Sequence, residues 1–426
     1  MKKAVSLFSS SGIGDLGLHN NGIKTVVACE LLEERANLFK ANNPDTKMFL
    51  GDIWELQEEI ISYYQKNFTD NPFILLATPP CQGMSSNGMG KMLNDYRKGL
   101  RPKFDERNRL IIPAIQIIKK LQPDWIIFEN VSNMGNTLIY DENEELVNII
   151  DYIHKELGDS YVGAPEVINV ADYGVPQSRV RLLTVFSKTK KGIKYFNNNL
   201  SYLPQKKYSK NGDLYTNKWI TLRESISDFS ELRAEKGYNK DSNNELHRVP
   251  ILDEKKLFWL DHTPEGLSAF NNQCINPACK FQENATHGSK HNYEGINKAK
   301  SDTPLYCSKC NSLLPRPYVE DKKTGKKRLM KGFVSAYKRM SWDLPASTLT
   351  QNFQYVSSDN KVHPSQTRVL SLAEALRLQT IDKYNYTFKI DGKTVKDGLI
   401  RDTIGESVPP LIIDLLVKNI LKIEEA

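Results

Sequence analysis

Repeated alternation of short apolar strands with amphipathic helices over residues 1–190 predicts an α/β protein built on a doubly wound, mostly parallel sheet. Two further patterns support that class. Residues that look out of place in apolar runs, namely the Phe8 turn, Glu30, Asp52, Cys81 and Glu129, all end expected strands. That is the edge where such a sheet places its ligand and its chemistry. From Lys188 to Lys331 the alternation stops, and an Asn-, Lys- and Tyr-rich stretch with four clustered cysteines reads as a second, irregular domain.

The elements follow in order. Ala4–Phe8 is the first strand, closed by the small-residue turn Ser9-Ser10-Ser11-Gly12-Ile13-Gly14. Thr25–Glu30, Lys47–Leu50, Phe73–Ala77, Asp124–Glu129, Val167–Val170 and Arg181–Phe186 continue the sheet. The helices read as Glu33–Asn42, Ile53–Phe68, Arg107–Leu121 despite Pro113, and Glu144–Leu157. Ser371 followed by Glu374 is a capping box opening a helix to Gln379, and Pro409–Ile423 is a core-facing terminal helix. The expected catalytic domain is 1–190 completed by 400–426, with 191–399 as the irregular domain.

The chain has 426 residues and a net charge of +7. No apolar stretch nears the roughly 18 residues of a membrane span. The amino-terminal apolar run is too short for a signal peptide, so a cytoplasmic place and no membrane partner are expected. Residues 188–218 carry eight lysines against one acid, and 316–340 carry nine Lys/Arg against two acids. Such clustering is the footprint expected for phosphate contacts, though a lysine-rich solvated surface gives the same count.

The Phe8–Gly14 turn with Glu30 has the parts of a nucleotide site: a close backbone approach, and an acid able to hold ribose hydroxyls. A dehydrogenase would use the same parts. Cys81 follows the stiff Thr78-Pro79-Pro80 stop and is presented as a nucleophile if activated. Glu129, Arg179 and Arg181 are expected at the same edge, the two arginines alternating onto one strand face. Cys274-x4-Cys279 and Cys307-x2-Cys310 have spacing close to a zinc ribbon, a four-thiolate structural site.

In combination these motifs resemble the DNA (cytosine-5)-methyltransferases, in the right order over most of the chain. The resemblance rests on the Phe8 turn, Glu30, Gly51-Asp52-Ile53, Pro80-Cys81-Gln82, Glu129-Asn130-Val131, Gln177-x-Arg179-x-Arg181, Arg339 to Thr350, and Gly405-Glu406-Ser407-Val408. It implies a Rossmann-like S-adenosylmethionine-dependent fold, with residues 191–399 as a target-recognition domain. It implies that Cys81 attacks carbon-6 of a flipped cytosine. Glu129 would hold the ring at N3 and the exocyclic amine, and Arg179 and Arg181 would orient base and thiol. Phe8, Gly12, Glu30, Asp52, Ile53, Pro80, Leu110, Glu406 and Val408 would line the cofactor site. Lys91–Arg109 matches the loop that closes over flipped DNA in this family. The implied partners are double-stranded DNA and a cognate restriction endonuclease, with a monomeric enzyme serving as the modification half of the system.

Three positions depart from the family pattern. Ser10 stands for the first glycine of the turn, Ser6 for an acid, and Glu406 for an asparagine. The Glu406 carboxylate would weaken cofactor binding or engage the cofactor amine. Three rivals stay open: an amino-methyltransferase with an Asp/Asn/Ser-Pro-Pro-aromatic motif, an RNA cytosine methyltransferase, and an inactive DNA-binding protein. Thr78-Pro79-Pro80-Cys81 lacks the acid or amide and the aromatic of the first, and the intact Cys81, Glu129, Arg179, Arg181 set argues against the last.

Overall fold

The computed structural model describes residues 1–80, 83–84, 105–286, 289–290, 298–299, 303–330 and 335–426. The chain divides into two compact units, Met1–Lys218 with Gln379–Ala426, and Trp219–Leu378.

The first unit holds the sheet. Its strands are β1 (Lys3–Leu7), β2 (Lys24–Glu30), β3 (Lys47–Leu50), β4 (Ile74–Ala77), β5 (Trp125–Asn130), β6 (Val162–Asn169) and β7 (Val180–Ser187). They lie in the order β3-β2-β1-β4-β5-β7-β6. β1 pairs in parallel with β2 and β4, and β4 with β5, so these strands end on one edge. β7 is antiparallel to both neighbours and carries Leu183 opposite Glu129. β4 and β5 are buried along their whole length, as expected of strands covered on both faces.

The covering helices are α1 (Leu16–His19), α2 (Glu33–Asn42), α3 (Ile53–Asn67), α4 (Ile111–Leu121), α5 (Ile149–Leu157) and α6 (Lys190–Asn199). Two expected helices begin later than their periodicity suggests. α4 is preceded by a 3-10 turn, Glu106–Leu110, which leaves Pro113 in the first helical turn, where a missing N–H costs nothing. Before α5, Asp141 Oδ1 accepts from the N–H groups of Asn143 and Glu145, closing a hairpin instead of a helical turn. Asn148 then caps the helix. β6 is longer than expected and accommodates Pro165 because it is an edge strand.

The second unit contains α7 (Leu222–Ile226), α8 (Glu254–Asp261) and α9 (Leu372–Leu378) among irregular segments. Buried arginines organise it. Arg339 donates to the carbonyls of Leu260, Thr263, His363 and Gln366. Arg368 forms a two-pronged pair with Glu374, both bonds 2.7 Å and both side chains fully buried. Arg368 beside it holds the Glu374 carboxyl down at about 2, against the opposing effect of burial. Glu374 also accepts from Ser371 N–H while Ser371 Oγ accepts from Glu374 N–H, the capping box read from the sequence.

The first unit then resumes with α10 (Asp397–Glu406) and α11 (Pro410–Glu425). It runs past residue 190 because Tyr202 is buried on Trp125, ring centroids 4.8 Å apart, and donates to Val162 and Gly192 carbonyls. It regains the chain at Gln379 rather than at 400. No helix among the described residues is long and apolar enough to cross a membrane.

α11 buries Ile412, Ile413, Leu416, Val417, Ile420 and Ile423 against the sheet. It approaches α1 so closely that a Cβ on Gly17 would sit 2.4 Å from the Asp414 backbone nitrogen. Gly17→Ala should therefore destabilise the chain by about 1–3 kcal/mol, an overpacking cost. Urea unfolding of the full chain measures this, and an unchanged midpoint would show that the helices part freely.

Candidate active site

The turn after β1 is tight because three residues take left-handed backbone angles: Phe8 at φ 58°, Ser10 at φ 46° and Gly12 at φ 82°. Ser10 thus occupies a conformation that suits glycine, at a cost of about 1–2 kcal/mol. Its N–H offsets part of this by donating to Glu30 Oε2 at 2.9 Å, while Leu32 N–H donates to Oε1 at 2.9 Å. Glu30 is thereby fixed, buried, at the end of β2. At Gly12 a Cβ would stand 2.8 Å from the Phe39 ring. The hydroxyls of Ser10 and Ser11 are buried without a partner among the described residues, so polar ligand atoms fit beside this turn.

The Ser6 departure has a local cause in the buried Asp15 carboxyl. Ser6 Oγ donates to Asp15 Oδ2 at 3.0 Å, and Thr25 Oγ1 donates to Asp15 Oδ1 at 2.7 Å. Burial pushes the Asp15 carboxyl up from its usual range. A second acid at position 6 would face that carboxyl, whereas serine supplies a donor.

Cys81 and Gln82 lie outside the described residues, as do 91–104 of the expected closing loop. Both flanks of Cys81 are placed. Thr78 N–H and Oγ1 donate to the carbonyls of Leu7 and Phe8, at 3.2 and 3.0 Å. Asn130 Nδ2 donates to Pro79 O at 3.0 Å. Beyond the thiol, Gly83 packs so near Asp105 that a Cβ would lie 2.6 Å from Asp105 Cβ. Half-buried Pro80 and Leu110 belong to these same turns.

Glu129 is buried at the end of β5, and Arg181 Nε lies 3.0 Å from its Oε1. The contact is an ion pair whose N–H is off the line of a hydrogen bond. Arg179 takes a different direction from the one its spacing suggests. It sits in the break between Gln177–Ser178 and β7, so the two-residue alternation does not carry through it. Its Nη2 donates to the carbonyls of Gly405 and Ser407, at 3.1 and 3.0 Å. Gln177 joins the same task by donating to Gln379 Oε1, and Gln379 Nε2 donates to Ser407 O at 2.7 Å. The Gln-x-Arg-x-Arg motif is therefore shared between two jobs: Arg181 meets Glu129, while Gln177 and Arg179 clamp the 405–407 turn.

That turn brings Glu406 and Val408 beside the first one. Val408 Cγ1 would be 3.4 Å from a Cβ on Gly14. Glu406 Oε1 accepts from Arg35 Nη2 of α2 at 2.7 Å. Burial pushes the Glu406 carboxyl up, and Arg35 opposes the shift. Asp52 caps α3 through Trp54 N–H at 3.0 Å, with Ile53 buried behind it. Sequence reasoning missed Asp15, Arg35, Gln379 and Tyr386, whose hydroxyl donates to Ser11 O at 2.9 Å. None lies in a motif, and the spacing from Ser11 to Tyr386 leaves no sequence signal.

In the second unit the four thiol sulfurs of Cys274, Cys279, Cys307 and Cys310 lie within 4.8 Å of one another. Cys274 to Cys310 is 3.6 Å and Cys279 to Cys307 is 3.9 Å. Tetrahedral zinc with Zn–S near 2.3 Å needs sulfurs about 3.8 Å apart, so this donor set fits zinc.

A profile of the C-5 cytosine-specific DNA methylases matches residues 2–422. The chain is 31% identical to the type II methyltransferase M1.HgaI of Avibacterium volantium, over 99% of each protein. It is 23% identical to the type II methyltransferase M.DdeI of Desulfomicrobium norvegicum, over 98% of this chain and 88% of that one. Among solved structures, it superimposes on the Dnmt2 methyltransferase of S. pombe with a TM-score of 0.53 at 11% identity, covering 100% of both chains. A DNMT2 mutant of Spodoptera frugiperda gives 0.51 at 14% identity, covering 99% of this chain and 100% of that one. These structural likenesses show a shared fold.

Arg35→Met leaves Glu406 half-buried without its counter-charge, so its carboxyl rises further above the ordinary 4.5. A raised acid favours folding when protonated and loses that contribution as pH rises through its folded pKa. The variant should be less stable than the parent by about 1–3 kcal/mol at neutral pH. The deficit should shrink as pH falls toward that ordinary carboxyl value. Urea unfolding across this range decides it; a deficit independent of pH would mean that the pair carries no charge interaction.

Proposed function

The chain belongs to the C-5 cytosine-specific DNA methylases, and from that premise we propose that it methylates carbon-5 of a flipped cytosine in duplex DNA through a covalent Cys81 adduct. The observation that carries the reading is the buried Glu129–Arg181 pair, one residue from the Asn130 bond that holds the Pro79-Pro80 turn leading to Cys81.

Each residue then has a task. Arg181 fixes the Glu129 carboxyl, which holds the cytosine ring at N3 and the exocyclic amine. The Cys81 thiolate adds to carbon-6, forming the C–S bond and pushing an electron pair toward carbon-5. S-adenosylmethionine, when bound, supplies the electrophilic methyl group that carbon-5 accepts. The carbon-5 proton then leaves to a base, and the returning electron pair breaks the C–S bond and frees the thiolate. Glu30 holds the ribose hydroxyls. Phe8, Gly12, Asp52, Ile53, Pro80, Leu110, Glu406 and Val408 line the cofactor's place, with Ser10 and Ser11 hydroxyls available to it. Glu406 is compatible with cofactor binding because Arg35 offsets its charge. Arg179 acts as a positioning residue through the 405–407 turn.

The names of the type II relatives support a role as the modification half of a restriction-modification system, with a cognate endonuclease as partner. Zinc held by Cys274, Cys279, Cys307 and Cys310 braces the irregular target-recognition unit.

Bisulfite sequencing of DNA from cells expressing the gene should show methylcytosine at one sequence. Cys81→Ser should retain duplex binding and S-adenosylhomocysteine binding by calorimetry while losing methylation; full activity in that variant overturns the adduct. Chelator-washed protein should contain about one zinc per chain, as a closed four-thiolate site implies. A clearly substoichiometric content removes the metal from the description.

A further inference from the structure

The segment from Lys206 to Lys218 belongs to the sheet unit and has no task in the chemistry above. Its base is anchored. Lys207 N–H donates to Asp172 O at 3.1 Å, Lys206 Nζ lies 3.0 Å from Asp172 Oδ2, and Asn217 N–H donates to Lys207 O at 2.9 Å. The Tyr208 ring packs so closely on Gly174 that a Cβ there would lie 2.8 Å from it. Asp172 and Gly174 closely follow the end of β6 at Asn169, which pairs with Val180, the residue before Arg181. The loop therefore stands on the same sheet edge as Glu129 and Arg181.

Its tip is ordered by its own hydrogen bonds. Asp213 Oδ1 accepts from the N–H groups of Tyr215 and Thr216 at 2.8 and 2.7 Å, and Ser209 Oγ accepts from Gly212 N–H and the Thr216 hydroxyl at 3.1 and 2.7 Å. This turn holds Leu214 and Tyr215 out into water at 94% and 86% exposure, above every other large apolar side chain described except Met1. Around them Lys207, Lys210 and Lys218 are exposed and enter no ion pair among the described residues. The single acid of the loop, Asp213, has Oδ1 turned to backbone donors.

Adjacent apolar side chains ringed by three lysines, with a single acid whose Oδ1 is engaged by backbone N–H groups, suit a surface that offers base faces between phosphates. A protein partner would more commonly meet a rim of mixed charge. Resting on the DNA-methylating reading, we propose that residues 206–218 form a duplex-DNA finger. Leu214 and Tyr215 pack against base steps beside the target cytosine, and Lys207, Lys210 and Lys218 bind the flanking phosphates.

Fluorescence anisotropy of the full chain with a labelled mixed-sequence duplex, across a sodium chloride series, tests this. Leu214→Ala with Tyr215→Ala should raise Kd at least about fivefold at every salt concentration without changing the salt slope. Leu214→Met with Tyr215→Phe should restore most of the affinity. Replacing Lys207, Lys210 and Lys218 by Gln should instead reduce the slope of log K against log salt by about two to three. Calorimetry with S-adenosylhomocysteine should be unchanged in all three variants, which checks folding. Duplex affinity and salt slope equal to the parent's in both the alanine and the glutamine variants overturn the finger, even if methylation proceeds. A parent that binds duplex through these residues yet methylates no DNA sinks the catalytic reading and leaves the finger standing.

Discussion

The hydrogen bond from Asn130 Nδ2 to the Pro79 carbonyl, 3.0 Å and buried, is the constraint on which the site depends. It joins the end of β5, which carries Glu129, to the turn that follows β4. Thr78 makes the matching link to β1 through the Phe8 carbonyl. Three parallel strands are thus tied at the edge where their chains turn away. Proline has no N–H to donate to such ties, so the side chains of Asn130 and Thr78 supply them. These two bonds fix the turn as far as Pro79, two residues before Cys81 in the sequence.

A second level of support comes from the far end of the chain. Gly405–Ser407 is held by Arg179, Gln177 and Gln379, and Glu406 is held by Arg35. These contacts bring a carboxyl-terminal turn to the amino-terminal one, and α11 seals the arrangement against α1. The Glu406 departure is then a paired feature. A carboxylate in place of an amide needs a counter-charge when buried, and Arg35 provides it from the helix after Glu30. Ser6 and Asp15 form an analogous pair: one carboxyl is buried, and its neighbour is a donor rather than a second acid. The irregular unit relies on the same kind of contact throughout, with Arg339 and Arg368 satisfying carbonyls and a carboxylate where regular strands are scarce.

Much of this was legible in the chain. The alternation of apolar strands and helices located all seven sheet strands, and the polar residues ending them marked the candidate edge. The limits of that reading were local and physical. Pro113 and Asp141 moved helix starts because capping and turn bonds outweigh periodicity near an element's end. Trp125 drew residues 190–203 into the sheet unit because a buried Tyr202 ring needs a partner surface. Arg179 and Arg181 parted because alternation holds only inside an unbroken strand.

The sequence by itself determined the family, the class of sheet, the polar residues that end its strands and the spacing of the thiol quartet, because each is written in short motifs whose order survives without coordinates. The tertiary structure alone decided which of those residues act on one another. Arg181 rather than Arg179 meets Glu129, and Arg35 and Tyr386 join the site from outside any motif. Partners separated by hundreds of residues leave no local pattern. They are chosen by which donors folding leaves facing which buried acceptors, and that choice is made only when the sheet edge closes.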